Sequence, residues 1–282
     1  MKVQANAMNE RQRAQAEALQ RATYALQNGQ PAYAEHIASE ILKTNAAHPE
    51  ATKILAYALM MQQRVKEAVA PLERAARAGR NPEIETQLAI ALRRCGQDDK
   101  ALIWLRRAIK RTPPFPPAFH ELGYLLHALK QPDEAVDVLR QGAAIAPMMP
   151  EMWVQLGYVC RTRHDHAGAI EAFSRALAIN PALPEAVSGM TSVLMHDGDY
   201  AQAAELFKRV ISARPEEGWA RIGLGTCLLE LGEPDSAYVC LRAGVGKGAS
   251  FHAALRAITS SSRGRFWLRP SSAATFLKGE KG

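Results

Sequence analysis

Three short stretches carry residue types that could do chemistry. His120-Glu121 opens a His-Glu-x-x-His pattern, in which two histidines one turn apart hold zinc and the glutamate is the general base. The position that should supply the second histidine is Tyr124, so the zinc reading fails on its second ligand. Residues 161–166 read RTRHDH. His164, Asp165 and His166 offer metal-binding atoms, but the sequence indicates no third or fourth ligand of the kind zinc takes. Gly244-Val-Gly-Lys-Gly248 has the look of a phosphate-cradling loop. It has Leu241 where the first glycine belongs, and Lys247 is followed by Gly248 rather than Ser or Thr. It also follows a helical pattern, whereas the phosphate loop leaves a strand. The four cysteines form no Cys-x-x-Cys pair, and no Gly-x-Ser-x-Gly is present. The expectation is therefore no catalytic residue, no metal and no cofactor.

The elements that would position any functional side chain come next. Hydrophobic residues make up 48% of the 282, aromatics only 6%, and much of the apolar material is alanine. That composition favours thin helices packed closely together. No apolar run approaches the roughly 18 residues of a membrane span. The opening MKVQANAMNERQRA lacks the apolar segment of a secretory signal. Four unpaired cysteines fit a reduced, cytoplasmic setting. The net charge is +7, but six basic residues and one acid from residue 252 onward supply +5 of it, leaving +2 for the first 251 residues. The body is thus near neutral, and no nucleic acid is expected to bind it.

Self-similarity at a fixed period organises the chain. Units fall at 15–48, 49–81, 82–115, 116–149, 150–183, 184–217 and 218–251, all of 34 residues except the second, which lacks one. Residues 1–14 precede them. The twentieth position is alanine in every unit: Ala34, Ala68, Ala101, Ala135, Ala169, Ala203 and Ala237. The eighth is always small: Ala22, Ala56, Ala89, Gly123, Gly157, Thr191 and Gly225. The seventh is Leu55, Leu88, Leu122, Leu156, Met190 and Leu224, with Arg21 as the exception. Small residues belong where two helix backbones approach, and large ones at the twenty-fourth position (Leu72, Leu105, Leu139, Phe173, Phe207, Leu241) fill the space beside them. Between two apolar runs lies a breaker such as GQP at 29–31, DGD at 197–199 or GEPD at 232–235. Pro31, Pro132 and Pro234 suit the first turn of a helix, and Asp199 suits an N-cap. Each unit reads helix, turn, helix, proline.

This pattern resembles the tetratricopeptide repeat. Trp153, Leu156, Gly157, Ala169, Phe173, Ala176 and Pro181 match that family's signature within one unit, and the resemblance covers residues 15–251. It implies an all-α, right-handed solenoid of about seven helix-turn-helix units, with first helices lining a concave groove. It implies binding of a protein or peptide and no enzymatic activity. Such arrays also serve as recognition arms for an enzyme supplied in trans, a glycosyltransferase or sulfotransferase, or for a secretion component.

By the same resemblance, positions 2, 5, 6, 9, 12 and 13 of each first helix face the groove. Helical spacing agrees for 2, 5, 9 and 12, which form a stripe apart from 7, 8 and 11. The candidate peptide-binding residues are Tyr57, Gln87, Arg93, His120, Tyr124, His127, Gln155, Tyr158 and Arg161. Tyrosine supplies apolar area with a hydroxyl, and arginine a fixed donor fork, which suits an extended or helical peptide of some acidic character. The alternative is that these tyrosines only pack on neighbouring helices. The lysine and asparagine clamp by which some relatives hold chaperone tails is reduced here to Lys53.

Beyond the last unit, residues 252–262 continue the register of a first helix and read as a cap, which a solenoid needs over its last apolar face. Residues 263–282 form a basic tail in which Arg265 and Arg269 flank Phe266-Trp267. Three roles suit it: docking on its own last unit, holding a partner, or contacting nucleic acid or an anionic membrane.

Overall fold

The computed structural model describes residues 2–260 and Leu277. Among them are fifteen α-helices and no strand. They divide into two compact units, residues 1–147 and 148–282. The first holds α1 (Lys2–Gln27), α2 (Pro31–Thr44), α3 (Pro49–Met61), α4 (Val65–Ala78), α5 (Pro82–Arg94), α6 (Asp98–Ala108), α7 (Pro116–Ala128) and α8 (Pro132–Ile145). The second holds α9 (Pro150–Thr162), α10 (His166–Ile179), α11 (Pro184–His196), α12 (Tyr200–Ala213), α13 (Gly218–Glu230), α14 (Pro234–Gly246) and α15 (Phe251–Ser260). Successive helices pack as antiparallel pairs, α1 on α2, α3 on α4 and onward to α13 on α14. In the first unit α3 also touches α1 and α5, and α5 touches α7, so the first helices of the pairs form one layer. In the second, α9 touches α11, and α15 packs on α13 and α14. The helix α1 starts at Lys2, within the stretch that precedes the repeat pattern.

Local chemistry sets the helix ends. Proline stands in the first turn of α2, α8 and α14, where its missing N–H costs nothing. Asn81, Asp165 and Asp199 side chains accept from the backbone N–H groups that open α5, α10 and α12. The turn inside each pair passes through a left-handed residue at the same repeat position: Gly29, Gln63, Gly96, Lys130, His164, Gly198 and Gly232, with φ from 59° to 83°. Glycine meets that demand without strain; His164 meets it at φ 59°.

Packing explains the alanine column. All seven of its members are 0% exposed. Beside them the large twenty-fourth-column residues reach into space left by glycine. A Cβ on Gly123 would lie 2.4 Å from Leu139, and one on Gly225 2.7 Å from Leu241. Phe173 is held from two sides: a Cβ on Gly157 of α9 would lie 2.7 Å from its ring, and one on Gly189 of α11 2.3 Å. Phe207 meets Gly223 in the same way, at 2.3 Å. Gly189 and Gly223 both occupy the sixth repeat position. Where the twenty-fourth residue is phenylalanine, the sixth residue of the next repeat is glycine; where it is Leu72 or Leu105, the sixth is Gln87 or Glu121; where it is Ala38, the sixth is Ile54. At the two phenylalanines large meets small.

Among the described residues one charge is fully buried. Glu85 on α5 is 0% exposed and accepts from Arg107 Nε at 2.9 Å and Arg111 Nη2 at 2.7 Å. The two guanidinium groups close α6 against α5 and satisfy a carboxylate that would otherwise be costly to bury.

Candidate peptide-binding face

In the first unit the face formed by α3, α5 and α7 carries the predicted aromatic residues. Tyr57 is 51% exposed and Tyr124 41%. The Arg93 guanidinium lies over the Tyr124 ring, 4.7 Å from its centroid, and reaches Glu121 at 3.6 Å. This contact joins α5 to α7 and fixes the tyrosine edge outward. Burial pushes the Glu121 carboxyl up, but a hydrogen bond from His120 and the charges of His120, Arg93 and Arg94 outweigh it and hold it below its ordinary 4.5. Lys53, one turn before Tyr57, bridges Glu83 at 2.7 Å and Glu50 at 2.9 Å. Burial alone would lower its ammonium; the hydrogen bonds to Glu83 and Glu50 raise it above 10.5. The cations of this face are therefore paired with carboxylates of the same face, and its charge is mixed rather than basic. His120 and His127 are half-buried on α7.

The sixth-position candidates sit differently. Gln87 is 6% exposed and Gln155 9%. Both amide atoms of Gln87 are buried without a protein partner, a state costing about 1–3 kcal/mol unless a small polar molecule reaches them. The glycines at this position face the second helix of the preceding pair, and Gln87 and Gln155 are buried, whereas Glu121 at the same position reaches Arg93 on the face; Tyr57 and Tyr124 are exposed.

In the second unit Tyr158 donates its hydroxyl to the Glu185 carbonyl at 2.9 Å, tying α9 to α11. Its ring meets Phe173 edge-on at 5.3 Å, and the Arg161 guanidinium lies 5.2 Å from its centroid. Burial raises the phenol above its ordinary 10.0, with Arg161 acting the other way and Glu185 adding to the rise. Arg161 also donates to Ser192 Oγ at 3.1 Å. Beside these residues lies a surface cleft of about 420 Å³ lined by Tyr158, Pro184, Glu185, Ser188 and Trp219. Trp219 is fixed by donating to Glu217 Oε2 at 2.7 Å and by edge contact with Phe207 at 6.1 Å. The cleft spans α9, α11 and α13 and offers two aromatic rings, a proline, a hydroxyl and a carboxylate. Trp219, Pro184, Glu185 and Ser188 are absent from the candidates named from sequence. Trp219 and Glu185 hold the second repeat position, so the stripe of positions 2, 5, 9 and 12 already contained them.

A second cluster forms where α10 begins and α11 ends. His166 Nδ1 lies 2.6 Å from Asp197 Oδ1, and His196 Nδ1 lies 3.4 Å from the same oxygen. The two rings meet edge-on at 4.9 Å. Burial pushes the Asp197 carboxyl up, while hydrogen bonds and charge from His166 and His196 bring it below its ordinary 3.8. Of the histidines in the RTRHDH run, His166 enters this cluster; His164 serves the turn. Arg265, Phe266, Trp267 and Arg269 lie outside the described residues. Leu277, in the same terminal segment, is 4% exposed.

Paired antiparallel helices with an invariant buried alanine and an aromatic-bearing layer of first helices define a helical-repeat protein. Two tetratricopeptide-repeat family models match the sequence, one over residues 19–83 and 120–184, the other over 194–259. The chain belongs to the tetratricopeptide repeat family. No curated protein matches it. Among solved structures, MamA from Desulfovibrio magneticus RS-1 is 24% identical, with 60% of this chain and 94% of that one covered and a TM-score of 0.52. PilF of Pseudomonas aeruginosa is 16% identical over 73% of this chain and 94% of that one, TM-score 0.62. The human IFIT1 dimer with m7Gppp-AAAA is 15% identical over 94% of this chain and 68% of that one, TM-score 0.61. At these identities the likeness is one of fold. No described helix is long and apolar enough to cross a membrane.

Proposed function

We propose that this chain is a non-catalytic interaction scaffold that holds a peptide segment of a partner protein on its first-helix faces. The observation that carries the reading is the outward placement of Tyr57 on α3 and Tyr124 on α7, about half exposed on either side of α5. Aromatic side chains fixed by an arginine or a neighbouring ring bury large area at little entropic cost, and such residues dominate interface energetics. In the second unit the Tyr158–Trp219 cleft suits an apolar side chain seated between the rings, with a donor on the peptide reaching Glu185 or Ser188. The mixed charge of the first face supports a peptide with both signs rather than a purely acidic one.

The test is a peptide selection against the full chain, followed by affinity measurements on Tyr57→Ala/Tyr124→Ala and Trp219→Ala. Tyr57 and Tyr124 are exposed, so the thermal midpoint of the tyrosine variant should stay close to wild type; Trp219 also packs on Phe207, so its variant is compared at a temperature where circular dichroism shows it folded. Selected peptides are expected to lose at least about 2 kcal/mol, near 30-fold in Kd, with one variant or the other. Peptides that bind both variants as tightly as wild type overturn the reading and move binding to another surface.

A further inference from the structure

The cluster at the start of α10 and the end of α11 has no part in the peptide face, and its donor set is specific. His166 is the first residue of α10, His196 the last of α11, and Asp197 the residue that follows. Antiparallel packing of α11 on α10 sets that beginning beside that end, bringing together residues 30 and 31 positions apart. One ligand atom from each lies within 4.8 Å of the other two. Both imidazole Nδ1 atoms converge on one carboxylate oxygen, at 2.6 and 3.4 Å. Ligands about 2.0–2.1 Å from a tetrahedral zinc ion stand roughly 3.3–3.4 Å apart. Opening the shorter contact and closing the widest therefore takes side-chain movements of about 1 Å. The side chains of His196 and Asp197 are 72% and 38% exposed, so they are free to make them and a hydrated ion can enter. The backbone beneath is fixed, since Asp197 N–H donates to Val193 O at 3.0 Å. The carbonyl end of α11 adds the negative pole of its dipole at the same point.

We propose that His166, His196 and Asp197 form a surface site for one divalent transition-metal ion of the Zn²⁺ class. Two neutral imidazoles and a single carboxylate suit a borderline ion. They do not suit Mg²⁺ or Ca²⁺, which take oxygen-rich shells. Three protein ligands leave a coordination position for water or for a donor from a partner. The ion would cross-link two consecutive helix pairs at their turn edge.

The test uses tag-free full-length protein titrated with Zn²⁺ by calorimetry, and with Co²⁺ to read coordination from its visible absorption. Wild type is expected to take up one Zn²⁺ per chain, with no matching uptake of Mg²⁺ or Ca²⁺. His166→Gln and His196→Gln should each weaken Zn²⁺ binding by more than about 10-fold and remove the Co²⁺ bands. Both variants should keep the wild-type helical circular dichroism. His164→Gln should bind as wild type. Absence of saturable Zn²⁺ uptake in the wild type up to about 1 mM, or wild-type affinity in His196→Gln, overturns the proposal.

Discussion

Replacing Gly189 by alanine tests the packing logic of the second unit directly. A Cβ there would lie 2.3 Å from Phe173 Cε1 and Cζ, where ordinary contact begins near 3.4 Å. The ring would have to retreat by more than about 1 Å. It cannot do so freely, because Phe173 is 0% exposed and the same ring atoms already lie 2.7 Å from the Cβ position of Gly157. Overpacking of this kind costs about 1–3 kcal/mol. With the ring held from both sides the cost falls in the upper part of that range, about 2–3 kcal/mol; alanine in place of a helical glycine returns about 1 kcal/mol, so the expected net loss is about 1–2 kcal/mol. For a chain of this size that lowers the thermal midpoint by about 2–8 °C. The assay is thermal and urea unfolding followed by circular dichroism on Gly189→Ala, Phe173→Leu and the double variant. Leucine stands at the equivalent position in other repeats, so the double variant should relieve the clash and show a favourable coupling of at least about 1 kcal/mol. Gly246→Ala, with nothing within 4 Å of the new Cβ, should instead hold or raise the midpoint. A Gly189→Ala midpoint at or above wild type, or additive effects in the cycle, refutes the reasoning.

Two further outcomes follow from the electrostatics of the first unit. Removing both partners of Glu85 in Arg107→Ala/Arg111→Ala strands a carboxylate that is 0% exposed. The expected loss is about 3–5 kcal/mol in denaturant unfolding, well above that of Glu85→Gln, whose abandoned arginines reach water. The Glu121 carboxyl, held below 4.5 in the folded chain by His120, Arg93 and Arg94 against the upward push of burial, contributes stability above that pH and loses it as pH falls through the lower folded value. Wild type should therefore be more heat-stable than Glu121→Gln near neutral pH, and the two midpoints should converge below about pH 4.5; a gap that persists in acid contradicts this assignment.

The sequence by itself determined the repeat fold. Its period, its alanine column and its breakers recur because each helix pair meets the same steric demand at the same place. The seven alanines at 0% exposure and the left-handed residue in every intra-pair turn are local requirements written once per repeat. The ninth-position tyrosines were legible for the same reason, as part of a stripe at helical spacing. Tertiary structure decided what depends on contacts between neighbouring repeats. Helical spacing alone does not fix whether the sixth position faces outward, since its burial depends on the size of a residue in the preceding repeat. Phe173 against Gly189 and Phe207 against Gly223 make it a packing position in those two repeats, whereas Glu121 at the same position reaches Arg93 on the face. The Trp219 cleft is assembled from three helices far apart in sequence. His166 finds Asp197 only because antiparallel helices place one beginning beside the next ending. Periodic sterics are visible in one dimension; a site whose donors sit 30 residues apart exists only once the helices are stacked.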